Sequence, residues 1–174
     1  MAGTLTVQNI EGPSSGANAN TVLIPSGQTL HAPGHVIQVV HAVDTSSQTS
    51  TGGSSYVDTG LTCDITPQFS TSKVLVIVGQ PLMMSTATTD AREVYYRIVR
   101  GSTGLVEGGS QFDLTHSAAY QSTGWFNGLN FLDSPATTST TTYKTQFYIS
   151  AGTADVYCNY GSTEATITLM EVAQ

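Results

Sequence analysis

Four histidines are the residues of this chain best suited to metal or proton chemistry. His31 and His35 are four positions apart, a spacing that would place both imidazoles on one face of a helix as metal ligands. A Pro-Gly pair stands between them, so the segment is predicted to be a turn and the spacing loses that meaning. His41, in a predicted strand, and His116, in a predicted loop, have no cysteine or carboxylate at ligand spacing. The sequence therefore predicts no metal site and no cofactor, and a histidine cluster around a threefold axis is the one version left open.

Serine and carboxylate side chains are abundant, but they lack the local signatures of catalysis. The chain contains no G-x-S-x-G motif, and no pattern ties one serine to a histidine. Four acidic residues could meet in space as the paired carboxylates of a glycoside hydrolase: Asp90, Glu93, Asp113 and Asp133. Solvated carboxylates are the commoner case among 12 acidic residues. The chain is therefore predicted not to be an enzyme, with a glycan-acting enzyme as a remote alternative.

Aromatic rings in the second half of the chain offer binding rather than catalysis. Three of them lie in 124–132, a segment without charge, where flat rings could stack on a sugar. Packing in the core or between subunits is the favoured interpretation of these rings and of those in the alternating segment 142–149. Arg97 interrupts an apolar run and is expected to pair with a carboxylate, within the chain or across a subunit boundary. The predicted core or interface residues are Trp125, Phe126, Phe131, Tyr143, Phe147 and Arg97.

Charge and composition exclude several classes of partner. Charged residues make up 10% of the chain, against about 25% in ordinary soluble domains. With a net charge of −7 and five basic residues, the chain has no basic stripe for a nucleic acid. No apolar run approaches the roughly 20 residues that cross a bilayer, so no membrane insertion is predicted. The first residues show no basic region followed by an apolar one, and no secretory signal is expected.

The two cysteines, Cys63 and Cys158, are far apart in sequence, and each lies inside a predicted strand. The favoured interpretation is a pair of small buried hydrophobic side chains. A disulfide stays open as the alternative if the two strands are neighbours. Without secretion, that bond would have to form after release from the cell.

The stretch 73–79 is the one around which the predicted fold is organised. Its five consecutive aliphatic residues, Val74 to Val78, predict a central strand that is covered on both faces and ends at Pro81. Other strands are predicted at 35–43, 56–58, 61–65, 93–100, 124–133, 142–149, 154–159 and 166–172. Polar loops are predicted at 45–55, 85–91 and 134–141, and hairpin turns at 103–104 and 108–109. The pattern predicts an all-β fold, an antiparallel, jelly-roll-like β-sandwich over residues 35–174.

Residues 1–34 differ from the rest and are predicted to form an extended N-terminal arm. The arm is rich in glycine, proline, serine and asparagine, and it is too short and irregular to bury its own apolar side chains. Docking on a neighbouring subunit or a scaffold is one interpretation, and packing back on its own domain is the other. The apolar residues that need a surface are Leu5, Val7, Ile10, Leu23, Ile24 and Leu30.

Several phrases spread over the whole chain point to one group of proteins. They are Gly3–Ile10, Gly12–Asn18, Ile24–Leu30, Thr71–Val76, Ile98–Ser102, Phe131–Thr137 and Thr166–Glu171. In these segments the chain resembles small virion structural proteins, tail-fibre-like or decoration-type, of tailed marine and cyanobacterial phages. The resemblance implies a homotrimeric β-sandwich or jelly roll on the virion surface, assembled in the cytoplasm of the host bacterium.

Three hypotheses of function follow. In the first, the protein is a homotrimeric capsid decoration (cement) protein whose arm binds the major capsid protein while the sandwich trimer reinforces the shell. In the second, it is a short tail fibre or receptor-binding tip, with the arm on other tail proteins and the loops facing the host. In the third, it is a glycan-acting enzyme with carboxylates in a loop cleft. The first two differ in partner rather than in fold.

Overall fold

The computed structural model describes residues 8, 10–17, 19, 21–51, 55–86, 92–112, 121–150 and 154–174. The chain divides into two units, Met1–His31 and Ala32–Gln174. In the first unit, residues 21–31 are exposed and contain a turn in which Gln28 N donates to Pro25 O at 3.0 Å. The arm residues Leu5 and Val7 lie outside the described residues. The other predicted docking side chains are exposed: Ile10, Leu23, Ile24 and Leu30, at 68%, 60%, 45% and 49%.

The second unit is built from ten strands in the described part of the chain. They are β1 (Val36–Asp44), β2 (Gln48–Thr51), β3 (Val57–Ile65), β4 (Lys73–Thr86), β5 (Arg92–Arg100), β6 (Thr103–Phe112), β7 (Gln121–Asp133), β8 (Thr141–Ile149), β9 (Asp155–Cys158) and β10 (Ala165–Val172). Within the same residues, no helix is long and apolar enough to span a membrane. The helical content described is one 3-10 turn, Tyr160–Ser162.

The strands form two antiparallel sheets whose pairings are nested. Sheet A has the order β1-β10-β4-β9-β2, with β7 on the other side of β4, and sheet B has the order β3-β8-β5-β6. Thus β1 pairs with β10, β3 with β8, β4 with β7 and β5 with β6. Nested pairs of this kind result when one long antiparallel ribbon of strands folds over on itself, which is the jelly roll. The predicted all-β, jelly-roll-like sandwich is confirmed.

The core lies between the two sheets and is made by alternate residues of the strands. From sheet A, Val74, Val76 and Val78 point inward with exposures of 3% or less. From sheet B, Tyr143 and Phe147 are completely buried. Because side chains alternate along a strand, each inward residue is followed by one on the outer surface of its sheet.

The prediction for the central strand was wrong in two respects. First, this chain covers only one face of β4, since Leu75 is half-buried and Ile77 is 41% exposed on the outer surface. Second, β4 does not end at Pro81 but continues to Thr86. Pro81 O accepts from Asn159 N at 3.3 Å, so the side of Pro81 that lacks an amide hydrogen faces the gap between the β10 and β9 pairings. In that gap no ladder bond is lost.

Three smaller differences have similar causes. Part of the predicted polar loop 45–55 forms β2, which pairs with β9. Gly108 and Gly109 lie inside β6, where they pair with Tyr96 and Tyr95, and the hairpin turn falls at residues 101–102. Part of the polar stretch 85–91 lies outside the described residues. Polar and glycine-rich segments can therefore be strands here, because the partner strand supplies the hydrogen bonds.

The cysteines are free, buried thiols in different sheets, Cys63 on β3 and Cys158 on β9. The prediction that they are buried is confirmed. Burial raises the pKa of Cys158 to about 11 and also raises the pKa of Cys63. Both side chains therefore stay protonated and act as small apolar groups, while Cys158 Sγ donates to Thr59 O at 3.4 Å.

Candidate assembly surface

The outer surface of sheet A, here called face A, is lined by aliphatic and aromatic side chains. The strand register places four of them in one row across the sheet: Val39, Met170, Leu75 and Leu132. Val39 is 55% exposed and Leu132 is 48% exposed. The other apolar members of face A are Val36, Val43, Ile77, Pro81, Met83, Phe126 and Val172. Exposed apolar side chains in a continuous surface mark an interaction site rather than a solvated face.

Face A carries almost no charge. Between the row that contains Val36 and the row that contains Pro81, one described outward side chain is charged. It is Lys73, at the border of the face. The polar members of the middle rows are small or neutral, and His41 Nδ1 lies 2.9 Å from Thr168 Oγ1, within hydrogen-bonding distance. Covering such a face requires no desolvation of ions, which is the usual obstacle to burying a surface.

An apolar depression of about 390 Å³ lies at one end of face A. It is lined by Pro81, Leu82, Met83, Gly124, Trp125, Phe126, Tyr160 and Thr163. The Phe126 ring borders it and lies over Gly79, where a Cβ atom would be 2.5 Å from the ring. Gly79 thus makes room for a ring that is 66% exposed. An aromatic side chain beside an apolar hollow is the arrangement that anchors protein interfaces.

The structure separates the residues that the sequence grouped as core or interface. Tyr143 and Phe147 belong to the core, and Trp125 and Phe131 are half-buried and pack against it. Phe126, in contrast, lies on face A. Alternation along β7 explains the division, because Trp125 faces inward opposite Leu82 while Phe126 faces outward opposite Pro81.

Arg97 lies on the outer surface of sheet B, here called face B. Its Nε and Nη2 atoms donate to Gln146 Oε1 at 2.9 and 2.7 Å, and its guanidinium lies 3.5 Å from the centre of the Tyr56 ring. In place of the predicted carboxylate, Arg97 contacts an amide oxygen and the face of an aromatic ring. An arginine–carboxylate pair forms three residues further along β5, where Arg100 Nη1 donates to Asp133 Oδ2 at 2.6 Å.

Two rows of polar and aromatic side chains cross face B. One consists of Tyr56, Tyr148 and Tyr95, in which the Tyr95 and Tyr148 rings stack at 4.8 Å and Tyr56 meets Tyr148 edge-on at 4.7 Å. The other runs through Asp58, Gln146, Arg97 and Glu107. Gln146 Nε2 donates to Asp58 Oδ1 at 2.6 Å, and Lys144 Nζ lies 2.8 Å from Asp58 Oδ2. The Tyr56 hydroxyl donates to Glu107, on the opposite edge strand.

The hydrogen bonds of face B shift the acidities of its groups. Burial and the bond to Glu107 raise the pKa of Tyr56 far above its usual value. Burial would raise the pKa of Asp58, but the hydrogen bonds from Lys144 and Gln146 outweigh it and the pKa is lowered. At neutral pH face B therefore presents a neutral phenol and an ionised carboxylate, both fixed by partners.

A buried carboxylate, that of Glu171, lies on the inner surface of sheet A, opposite face A. Glu171 is fully buried on the inner side of β10, where Gln38 Nε2 donates to Oε2 at 2.6 Å and the amides of Gln68 and Phe69 donate to Oε1 at 2.9 and 3.2 Å. Burial would raise its pKa, but these hydrogen bonds outweigh burial and lower it. The sequence contains a signal for this residue, because Glu171 continues the inward series Ala165, Ile167, Leu169.

A network of buried polar side chains connects the two sheets. Gln80 Nε2 donates to Asn159 Oδ1 at 2.6 Å, and Asn159 Nδ2 donates to Asp44 Oδ2 at 2.8 Å. On the side of sheet B, Thr145 Oγ1 donates to Gln80 Oε1 at 3.4 Å and meets Thr59 Oγ1 at 2.5 Å. Gln80, Asn159, Thr145 and Thr59 are completely buried. Each polar atom in such a chain needs its partner, so the chain fixes how one sheet lies on the other.

Among the described residues, the candidate chemical side chains do not form a catalytic site. Asp90, Asp113 and His116 lie outside the described residues. Asp133 is held by Arg100 and by Tyr143, whose hydroxyl donates at 2.7 Å, and Glu93 accepts from the Tyr95 hydroxyl at 2.7 Å. Across the described ranges, no three histidine, cysteine or acidic side chains gather as a metal site.

Comparison with known proteins gives a loose likeness of fold. No family model matches the chain, and no curated protein matches it. Among solved structures, the VP2 subviral particle of infectious bursal disease virus aligns with a TM-score of 0.36 and 12% identity, over 93% of this chain and 46% of that one. The structure of the Gt strain of the same virus aligns with a TM-score of 0.37 and 12% identity, over 94% and 43%.

The chain thus spans less than half the length of these solved chains. At TM-scores below 0.5, the likeness adds nothing to the assignment of fold, which stands on the nested strand order. It also transfers no function, because unrelated functions share this architecture.

Proposed function

We propose that this protein is a structural component of a phage virion, a capsid decoration (cement) protein that assembles as a homotrimer on the shell. The observation that carries the proposal is face A, an apolar and nearly uncharged sheet surface. Such a surface is suited to permanent burial against copies of the same chain.

The energetics of face A favour association. Apolar surface removed from water contributes about 25 cal/mol per Å², and a stable interface covers roughly 800 Å² on each partner. The row of aliphatic side chains across four strands, and the Phe126 ring at one end of face A, would contribute apolar area to such an interface. Around a threefold axis, a face this wide can be shared by both neighbours of each subunit.

The arm supplies a second contact in this proposal. Its exposed apolar side chains, among them Leu23, Ile24 and Leu30, are separated by turns rather than packed in a core of their own. In the cement hypothesis, the expected partner of such an arm is the major capsid protein. Face A then holds the trimer together and the arm attaches it to the shell.

The alternative function is a short tail fibre or receptor-binding tip. One observation favours it, the concentration of tyrosine and charged side chains on face B, for which reinforcement of a shell has no evident use. The two functions are distinguished by position and copy number, which are hundreds of copies on a capsid and tens or fewer on a tail.

Two measurements test the proposal. Light scattering on the purified protein is expected to give three times the 18.2 kDa of one chain. A mass of one chain at micromolar concentration would refute the homotrimer, and a mass of two chains would replace it by a dimer. Cryo-electron microscopy of the particle is expected to show the protein on the capsid at threefold positions. Density on the tail alone would establish the fibre instead.

Deletion of residues 1–30 separates the two contacts. The truncated chain is expected to remain a folded trimer but to lose binding to capsids stripped of decoration. Unfolding of the truncated chain would return Leu23, Ile24 and Leu30 to the core and refute the role of the arm.

A further inference from the structure

We propose that face B contains a binding site for a neutral hexose unit, in an open depression of about 220 Å³ at the edge of sheet B. Its walls are Arg97, Gly104, Leu105, Val106 and Glu107. The proposal does not depend on the oligomeric state or on the virion location of the protein. It assigns a ligand class to a surface that the assembly role leaves unused.

Charged side chains are concentrated on face B in an otherwise charge-poor chain. Of the 12 acidic and five basic residues, six lie on face B: Asp58, Asp64, Glu93, Arg97, Glu107 and Lys144. Two of the six, Arg97 and Glu107, line the depression. Face A, in contrast, has Lys73 at its border. The depression therefore offers one cationic and one anionic side chain to a ligand.

Arg97 and Glu107 form a donor and acceptor pair at the depression. They are directly opposite each other on β5 and β6. Two nitrogens of Arg97 are held by Gln146, and the third, Nη1, lies toward Gly104, 3.4 Å from where a Cβ atom would stand. Each sugar hydroxyl both donates and accepts, so adjacent hydroxyls can accept from the guanidinium and donate to the carboxylate.

Two apolar residues border the depression. Leu105 and Val106 are half-buried and pack against the core, and their exposed parts line the depression. The Tyr56 ring covers the Arg97 guanidinium, and its hydroxyl holds Glu107. Both polar groups are thus fixed before a ligand arrives, which reduces the entropy lost on binding.

The same pair selects against charged sugars. A carboxylated sugar in the depression would meet the Glu107 carboxylate, and an amino sugar would meet the Arg97 guanidinium. Each would meet a like charge as well as an opposite one, so repulsion from one group offsets attraction to the other. A neutral hexose meets no like charge, which favours it over a sugar of net charge.

Gly104 allows a test that removes no polar group. Gly104→Val adds a side chain in the depression, and valine suits a strand, so the fold is expected to persist. The matched control is Thr142→Val, a change to the same side chain on an exposed position of β8 away from the depression. Saturation-transfer NMR would be recorded with the methyl pyranosides of glucose, galactose, mannose and N-acetylglucosamine, each alone.

At least one of the four glycosides is expected to bind the natural chain and the Thr142→Val control with a dissociation constant on the order of 1 mM. Gly104→Val is expected to weaken that binding at least tenfold without changing the melting temperature or the oligomer mass. Absence of binding by all four glycosides, or equal binding by the Gly104→Val variant, would overturn the proposal. A changed oligomer mass for Gly104→Val would show that face B is a subunit contact and would also overturn it.

Discussion

The middle row of face A runs through Val39, Met170, Leu75 and Leu132, whereas the matching row of face B runs through Asp58, Gln146, Arg97 and Glu107. Each row lies on the outer surface of its sheet, and the inner surfaces of both sheets face the same core. On face B each polar group has a partner within the sheet, so the surface is complete in water. On face A the aliphatic groups have no such partners, and their stabilisation requires contact with another surface.

The difference suggests separate uses for the two faces. The inward positions of both sheets are mostly valine, isoleucine, leucine and aromatic residues. The outward positions are free of the requirements of the core, and they diverge into an apolar face A, proposed for assembly, and a polar face B, proposed to bind a ligand. The following substitutions test that division, in decreasing order of expected effect.

Ile77→Asp should abolish assembly. Burying an unpaired carboxylate in an apolar contact costs several kcal/mol, and each 1.4 kcal/mol is a tenfold change, so association should weaken by at least about a thousandfold. Light scattering would show a folded monomer. The control is Thr62→Asp on the exposed part of face B, which should keep the native mass. Equal behaviour of the two variants would refute the distinction between the faces.

Phe147→Ala removes a phenyl ring from the core, and Phe126→Ala removes a phenyl ring from face A. Phe147 is fully buried, so its loss should lower the free energy of unfolding by about 3–5 kcal/mol. Phe126 is 66% exposed, and its loss should cost less than about 1 kcal/mol when measured in the Ile77→Asp monomer. Urea unfolding measures both, and a large cost for Phe126 in the monomer would place it in the core.

Glu171 should make stability depend on pH. Its folded pKa is lowered, so the unfolded chain binds the proton more readily, and stability is present above the unfolded pKa near 4.5 and lost as pH falls below it. Glu171→Gln removes the charge and should cost about 1.5–3 kcal/mol at pH 7. The free energy of unfolding, measured with urea at several pH values between pH 7 and pH 3, should fall less steeply with decreasing pH in the variant than in the natural chain. An equally steep fall in both proteins would contradict the role of this carboxylate.

Lys144→Met should have the smallest effect. The Lys144–Asp58 pair is on face B with Asp58 exposed, and exposed pairs contribute roughly 0–1 kcal/mol. That contribution should disappear in 1 M NaCl, where charges are screened within about 3 Å. Assembly through face A should persist at the same salt concentration. Dissociation by salt would show that charged contacts, rather than apolar ones, hold the subunits.

The sequence predicts the strands of this fold better than it predicts what covers each strand and where the strand ends. Alternation in 142–149 and 166–172 marks two strands with one buried face, and both are present. The run Val74 to Val78 predicts a central strand correctly, but it cannot tell whether its second apolar face is covered within the chain or by another copy. Continuation of β4 past Pro81 depends on the gap between β10 and β9, which is a property of pairing and not of local sequence.

Face B is harder to predict because its members come from four strands. Tyr56 and Glu107 are bonded across the whole sheet, although 51 positions separate them. Arg97 interrupts an apolar run, which signals an unusual position in the sequence, whereas its partner Gln146 has no such signal. Glu171 is the polar residue that alternation could have revealed, since it occupies an inward position at the end of β10.

The nested strand pairing also determines the order in which the chain can fold. The β5–β6 hairpin closes through a two-residue turn at Gly101 and Ser102, so its contacts form at little cost in chain entropy. Each pair outside it must bring together more distant segments, ending with β1 and β10, where Val36 meets Val172. Folds rich in such distant contacts fold in milliseconds to seconds. A newly made chain therefore exposes unpaired strands for that time.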